Sequence, residues 1–235
     1  MSVFRFKQFS VKQERSAMKV GTDAMLLGSL VLETNPRKIL DVGAGTGVIA
    51  LMMAQRFTEA EIVAVEIDAA SFLEAQENFQ NSCWANRLNA VQCNFLEFHP
   101  KNSFDCIVSN PPYYQSRLEN NDARKSQARH DSALPMEQMI AKVSELLSDA
   151  GSFWVIVPSE VASAWITASS SAGLHLSSNV SILGKEGGTV KRQVLQFVKG
   201  ETKLTDSVFT VRKLDGSYSD DYIELTQEFH FNQLR

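Results

Sequence analysis

From residue 38 onward the hydrophobic pattern keeps switching between two periods, and this alternation constrains the fold more than any other feature of the chain. Residues 38–43 (KILDVG), 61–67 (EIVAVEI), 90–94 (AVQCN), 104–110 (FDCIVSN) and 151–157 (GSFWVIV) are short and apolar, as buried strands are. Residues 47–57, 69–82 and 134–147 carry helical spacing instead. In 69–82, Phe72, Ala75 and Phe79 share one predicted face, with Glu74, Glu77 and Asn78 turned away from it. In 134–147, Met139, Ile140, Val143, Leu146 and Leu147 form a stripe, and Pro135 suits a first helical turn. A helix ending at Gly173 then precedes two strands, near 174–183 and 190–198, separated by the hairpin signal GKEGGT. Such alternation predicts an α/β fold with right-handed crossovers. The expected sheet has seven strands, mostly parallel, with helices on both faces and a terminal antiparallel hairpin.

No repeat or linker interrupts residues 1–235, which read as one domain with 1–37 as an N-terminal extension. The net charge of −4 excludes a polycation, so any nucleic-acid contact must come from a local patch. Cys83, Cys93 and Cys106 have no C-x-x-C spacing, so neither a disulfide framework nor a metal site is expected. The start lacks the apolar core of a signal peptide, and no run of 18 apolar residues occurs. A cytoplasmic setting, with no membrane and no obligatory protein partner, is the expectation.

In a doubly wound sheet, ligands bind beyond the carboxyl ends of the strands. The segment there is DVGAGTG, where Gly43, Gly45 and Gly47 let the backbone turn and approach a ligand closely. The helix that follows favours a negative group at its start, such as an amino-acid carboxylate. Asp41 is poor company for a pyrophosphate but suits an ammonium. Glu66, about 20 residues further on, is placed to accept from ribose hydroxyls. A ligand with ribose, ammonium and carboxylate fits S-adenosylmethionine better than a nicotinamide dinucleotide.

The strand 104–110 ends on a rigid corner, Asn110, Pro111, Pro112 and Tyr113. Two prolines remove two donors and fix two φ angles, so the strand must stop. N-P-P-Y resembles the motif of methyltransferases that act on planar amino groups. There, the Asn110 side-chain oxygen and the Pro111 carbonyl would accept the two amine hydrogens, and Tyr113 would stack on the base or amide. Adenine and a protein glutamine amide both fit this corner.

Two clusters bear on the substrate. Arg5 and Lys7 interleave with Phe4, Phe6 and Phe9, a pattern that suits either single-stranded RNA or a hairpin packing its rings inward. The long polar insertion holds Arg117, Arg124, Lys125, Arg129 and His130. With "FKQF", "MKVGTDAMLLG", "VEID", "NPPYY" and "ARH", the chain resembles the bacterial family of tRNA1(Val) adenine-37 N6-methyltransferases over nearly its full length. The resemblance implies a Rossmann-like class I methyltransferase fold and methyl transfer from S-adenosylmethionine to a tRNA adenine. It also implies that Lys19, Thr22 and Asp23 lie near the cofactor, and that Asn94 stands where relatives carry an acid contacting the cofactor's adenine. A glutamine N5-methyltransferase and a non-catalytic S-adenosylmethionine-binding module are the competing readings.

Overall fold

The computed structural model describes residues 2–112 and 134–231. A hairpin of β1 (Val3–Arg5) and β2 (Ser10–Lys12) comes first, then α1 (Thr22–Leu30). The main sheet is built from β3 (Lys38–Val42), β4 (Glu61–Glu66), β5 (Leu88–Gln92), β6 (Phe104–Ser109), β7 (Leu147–Pro158), β8 (His175–Leu183), β9 (Val190–Val198) and β10 (Thr205–Thr210). Helices α2 (Val48–Arg56), α3 (Ala69–Gln80), α4 (Met136–Leu146) and α5 (Ala162–Ser171) connect them, and α6 (Asp220–Thr226) follows β10.

The strand order is β10-β8-β9-β7-β6-β3-β4-β5. Only β9 runs against the rest, since it pairs antiparallel with both β7 and β8. The sheet therefore has eight strands rather than seven, and the antiparallel strand is inserted between β7 and β8 instead of standing at the edge. The additional strand is β10, whose first four residues are exposed. In this edge strand Phe209 packs against the core after four exposed residues, too short a stretch to show an alternation.

Each face of the sheet has its own core. Ile39, Cys106, Val108 and Trp154 pack toward α1, α2, α3 and the N-terminal hairpin. Leu40, Ile107, Phe153 and Val155 face α4 and α5, where Ile140, Val143 and Trp165 meet them. Neighbouring residues of one strand enter opposite cores, which is why these strands read as continuous apolar runs.

One expectation about a helix face needs correction, and one open alternative is decided. Helical spacing turns Glu74 and Asn78 to the solvent side of α3, yet both are only 2% exposed. Their polar groups are taken up by the chain preceding α1 and, for Asn78, also by the glycine loop. Asn78 accepts the Lys12 N–H at 2.8 Å and donates to the carbonyls of Lys12 and Thr46. The rings of Phe6 and Phe9 are buried and stacked 4.2 Å apart, with Trp84 edge-on to Phe9. They belong to the core and cannot stack on bases, whereas Arg5 and Lys7 are solvent-exposed.

Candidate active site

The site is set by strand register. Val42 of β3 pairs with Val65 of β4 on one side and with Ser109 of β6 on the other. The next residues, Glu66, Gly43 and Asn110, therefore follow three adjacent strand positions on the carboxyl edge, where the strands lie about 5 Å apart. Glu66 in turn pairs with Gln92, two residues before Asn94. Along this rim the order is Asn94, Glu66, Gly43, Asn110. Ser109, which no sequence pattern singles out, is fully buried and donates its hydroxyl to the Val42 carbonyl at 2.8 Å. That bond fastens the start of the proline corner to the start of the glycine loop. Nothing local marks it, because the partner is a backbone carbonyl 67 residues away.

The glycine loop needs its glycines for different reasons. Gly43, Gly45 and Gly47 have φ of 74°, 55° and 77°, all in the left-handed region. A Cβ on Gly47 would stand 2.5 Å from Phe79 Cε1, so this glycine lets α2 start against α3. A Cβ on Gly43 would meet nothing within 4 Å, so the space above it is open. The Gly43 and Ala44 N–H groups both donate to the Val65 carbonyl, which holds the turn down on β4.

Two carboxylates shape the electrostatics. Glu66 accepts the Gly45 N–H at 2.8 Å and the Asp68 N–H at 2.9 Å, one on each oxygen. A carboxylate offers about four lone-pair sites, so it retains capacity toward ribose hydroxyls. Asp41 is fully buried beneath the first turn of α2 and accepts the Ala50 N–H at 3.1 Å. Its other oxygen, Oδ1, has no protein partner. Burial pushes the Asp41 carboxyl up to about 7, against the opposing Ala50 hydrogen bond and with help from the nearby Glu66 charge. A buried acceptor with no donor, beside an open cradle and a helix N-terminus, fits an amino-acid group carrying an ammonium and a carboxylate.

The remaining predicted residues are distributed as follows. Asn94 caps the 3₁₀ turn Phe95–Glu97 by accepting the Leu96 N–H at 3.0 Å. Thr22 opens α1, and Lys19 is exposed just before it. Asp23 accepts from Arg192 Nε of β9 at 2.9 Å. Pro111 is half-buried and Pro112 exposed, so the corner continues from the Asn110 end of the rim toward solvent. Arg5 and Lys7 line a separate groove of about 560 Å³ beside the hairpin, together with Lys12, Asn81 and Phe231. Tyr113, Arg117, Arg124, Lys125, Arg129 and His130 lie outside the described residues. Among those described, no cluster of acids, histidines and cysteines could hold a metal. No described helix is long and apolar enough to cross a membrane.

The parallel sheet with one inserted antiparallel strand, a glycine loop after its first strand and an acid after its second define a Rossmann-like S-adenosylmethionine-dependent methyltransferase. A predicted O-methyltransferase from Agrobacterium tumefaciens shares this fold, with a TM-score of 0.70 and 20% identity over 88% of this chain and 96% of that one. Residues 15–166 match the methyltransferase small domain family. The tRNA1(Val) (adenine(37)-N6)-methyltransferase of Bacteroides thetaiotaomicron is 39% identical over 97% of each chain. The protein of the same name from Flavobacterium johnsoniae is 39% identical over 97% of this chain and 99% of its own. The chain belongs to the methyltransferase small domain family.

Proposed function

We propose that the protein transfers a methyl group from S-adenosylmethionine to the N6 of an adenine in tRNA, with adenine 37 of tRNA1(Val) as the target. The observation that supports this reading is the Val42–Ser109 pair, which ends β3 and β6 together, one residue before Gly43 and Asn110. A cofactor lying along the rim would have its adenine near Asn94, its ribose at Glu66 and its amino-acid end at the glycine loop. Bound there, S-adenosylmethionine supplies an electrophilic methyl carbon on a sulfonium.

The exocyclic nitrogen of adenine is a weak nucleophile because its lone pair is delocalised into the ring. Asn110 and the Pro111 carbonyl accept its two N–H groups and favour a pyramidal nitrogen aimed along the rim. The prolines hold both acceptors still, so little reorganisation accompanies the reaction. No general base needs to act first, since the nitrogen becomes acidic only once it carries positive charge. Tyr113 provides the stacking face, and the basic insertion with Arg117, Arg124, Lys125, Arg129 and His130 meets the phosphates, joined by Arg5 and Lys7. An adenine in a loop is the least costly to unstack, which favours an anticodon-loop target over a duplex. The names carried by the full-length relatives favour adenine over a glutamine amide.

The test is incubation with methyl-labelled cofactor and total tRNA, followed by nucleoside analysis. Label in N6-methyladenosine is expected. Label in a protein release factor instead of tRNA would favour the amide reading, and cofactor binding without any transfer would favour a sensor.

A further inference from the structure

Glu74 is a buried carboxylate whose partners are backbone groups. Its Oε1 accepts the N–H of Glu14 at 2.5 Å and of Arg15 at 2.9 Å, and its Oε2 accepts the N–H of Ser16 at 2.8 Å. Three consecutive N–H groups thus form a nest around one anion, an arrangement also used for anionic ligands. Here the anion belongs to the protein, so the nest fixes chain position.

What it fixes lies against the glycine loop. The Ser16 side chain is buried, with Oγ 3.5 Å from where a Gly45 Cβ would stand and 3.3 Å from Ser71 Oγ. From Ser16 the chain runs to Thr22, where α1 begins. A Cβ on Gly47, the N-cap of α2, would meet Phe79 and Ala75, so the start of α2 lies against α3, while α2 itself packs on α1. Residues 16–22 therefore run from the glycine loop, at Gly45, to the helix that packs on α2. This crossing starts beside the loop that leads into α2. Two further bonds hold this crossing. The Gln13 side chain accepts the Val20 N–H at 2.9 Å, and Asp23 is ion-paired to Arg192, which is in register with Pro158 at the carboxyl end of β7.

We propose that Glu74 is a positioning residue for the cofactor: it latches residues 14–16 so that the strap 16–23 closes the pocket side along the loop that leads into α2 and presents the Ser16 hydroxyl beside Gly45. This inference rests on the reading that the glycine loop holds S-adenosylmethionine. Glu74 touches neither cofactor nor substrate. It acts through the strap, so its loss should fall on cofactor affinity and not on methyl transfer once the cofactor is bound.

The test is Glu74→Gln, which keeps the side-chain shape but replaces one acceptor with a donor. Three readouts are the dissociation constant for S-adenosylhomocysteine, tryptic cleavage after Arg15 and Lys19, and kcat at saturating cofactor. We expect the dissociation constant to rise about tenfold, the affinity equivalent of one lost charged hydrogen bond. Cleavage should become faster, and kcat should stay within about twofold of wild type. S-adenosylhomocysteine should slow cleavage of the wild-type strap. If Glu74→Gln does not fold, Gln13→Ala releases the Val20 N–H of the same strap, with the same changes in affinity and cleavage expected in smaller size and kcat again within about twofold. Faster cleavage with unchanged affinity, or no change in either, overturns the proposal. Glu66→Gln separates the two readings: if it leaves affinity unchanged, the pocket assignment fails, whereas weakened binding in Glu66→Gln with a silent Glu74→Gln removes the latch alone.

Discussion

Asp41→Asn isolates the electrostatic strain beneath the glycine loop. The side chain is fully buried, its Oδ1 has no partner, and its carboxyl is raised to about 7. Because the folded-state value lies above the unfolded value of about 3.9, the folded protein holds a proton that the unfolded chain has released. The resulting stabilisation is complete below about pH 4 and is lost as the pH rises to about 7. Above that, the wild-type protein carries a buried charge, whereas asparagine keeps an acceptor for the Ala50 N–H and does not titrate. At about 1.4 kcal/mol per pH unit, the variant should gain about 3 kcal/mol over wild type between pH 5 and pH 8. Urea denaturation followed by tryptophan fluorescence at several pH values gives the difference directly. Taking the difference between the two proteins cancels the other titrating groups. The same residue should link cofactor and protons. A bound ammonium favours the ionised carboxylate, so binding of S-adenosylhomocysteine at pH 6 should release up to about one proton in the wild type and less in the variant. Parallel stability profiles for the two proteins would refute the reasoning.

Three further outcomes are expected. Gly47→Ala combines about 1–2 kcal/mol of left-handed strain with about 1–3 kcal/mol of overpacking against Phe79, so thermal or urea denaturation should show a loss of about 2–5 kcal/mol. Gly43→Ala has the strain without the clash and should lose only about 1–2 kcal/mol of stability, while calorimetric titration with S-adenosylhomocysteine shows at least a ~10-fold weakening because the methyl fills the open cradle. Reversing Arg124, Lys125 and Arg129 to Glu should raise the tRNA dissociation constant and flatten its dependence on log salt by roughly 0.7–0.9 for each phosphate no longer neutralised, measured by filter binding.

The parts of the candidate site whose backbone geometry is legible in the sequence are those whose chemistry is local. A glycine that must adopt positive φ, or a proline that must end a strand, shows itself within a few residues, so Gly43, Gly45, Gly47, Asn110 and Pro111 can be read directly. Glu66 is legible because the βαβ unit fixes its distance from the loop. Glu74 and Asn78 are misread because a helix pattern distinguishes apolar from polar residues and cannot see that a distant segment will return to satisfy them. Phe6 and Phe9 are ambiguous for the converse reason, since ring-and-cation alternation looks the same on a packed hairpin and an exposed RNA surface. Ser109 and the Asp23–Arg192 pair depend on which strands become neighbours. That order, with β9 inserted between β7 and β8, is a tertiary outcome that no window of sequence contains.

The most direct measurement is methyl transfer to tRNA by Asn110→Ala at saturating cofactor, paired with its affinity for S-adenosylhomocysteine. Removing a preorganised acceptor should lower kcat about 10²- to 10³-fold while the affinity stays within about twofold of wild type. A variant that turns over at the wild-type rate, or one that loses cofactor binding in step with activity, would contradict a corner that grips the amine.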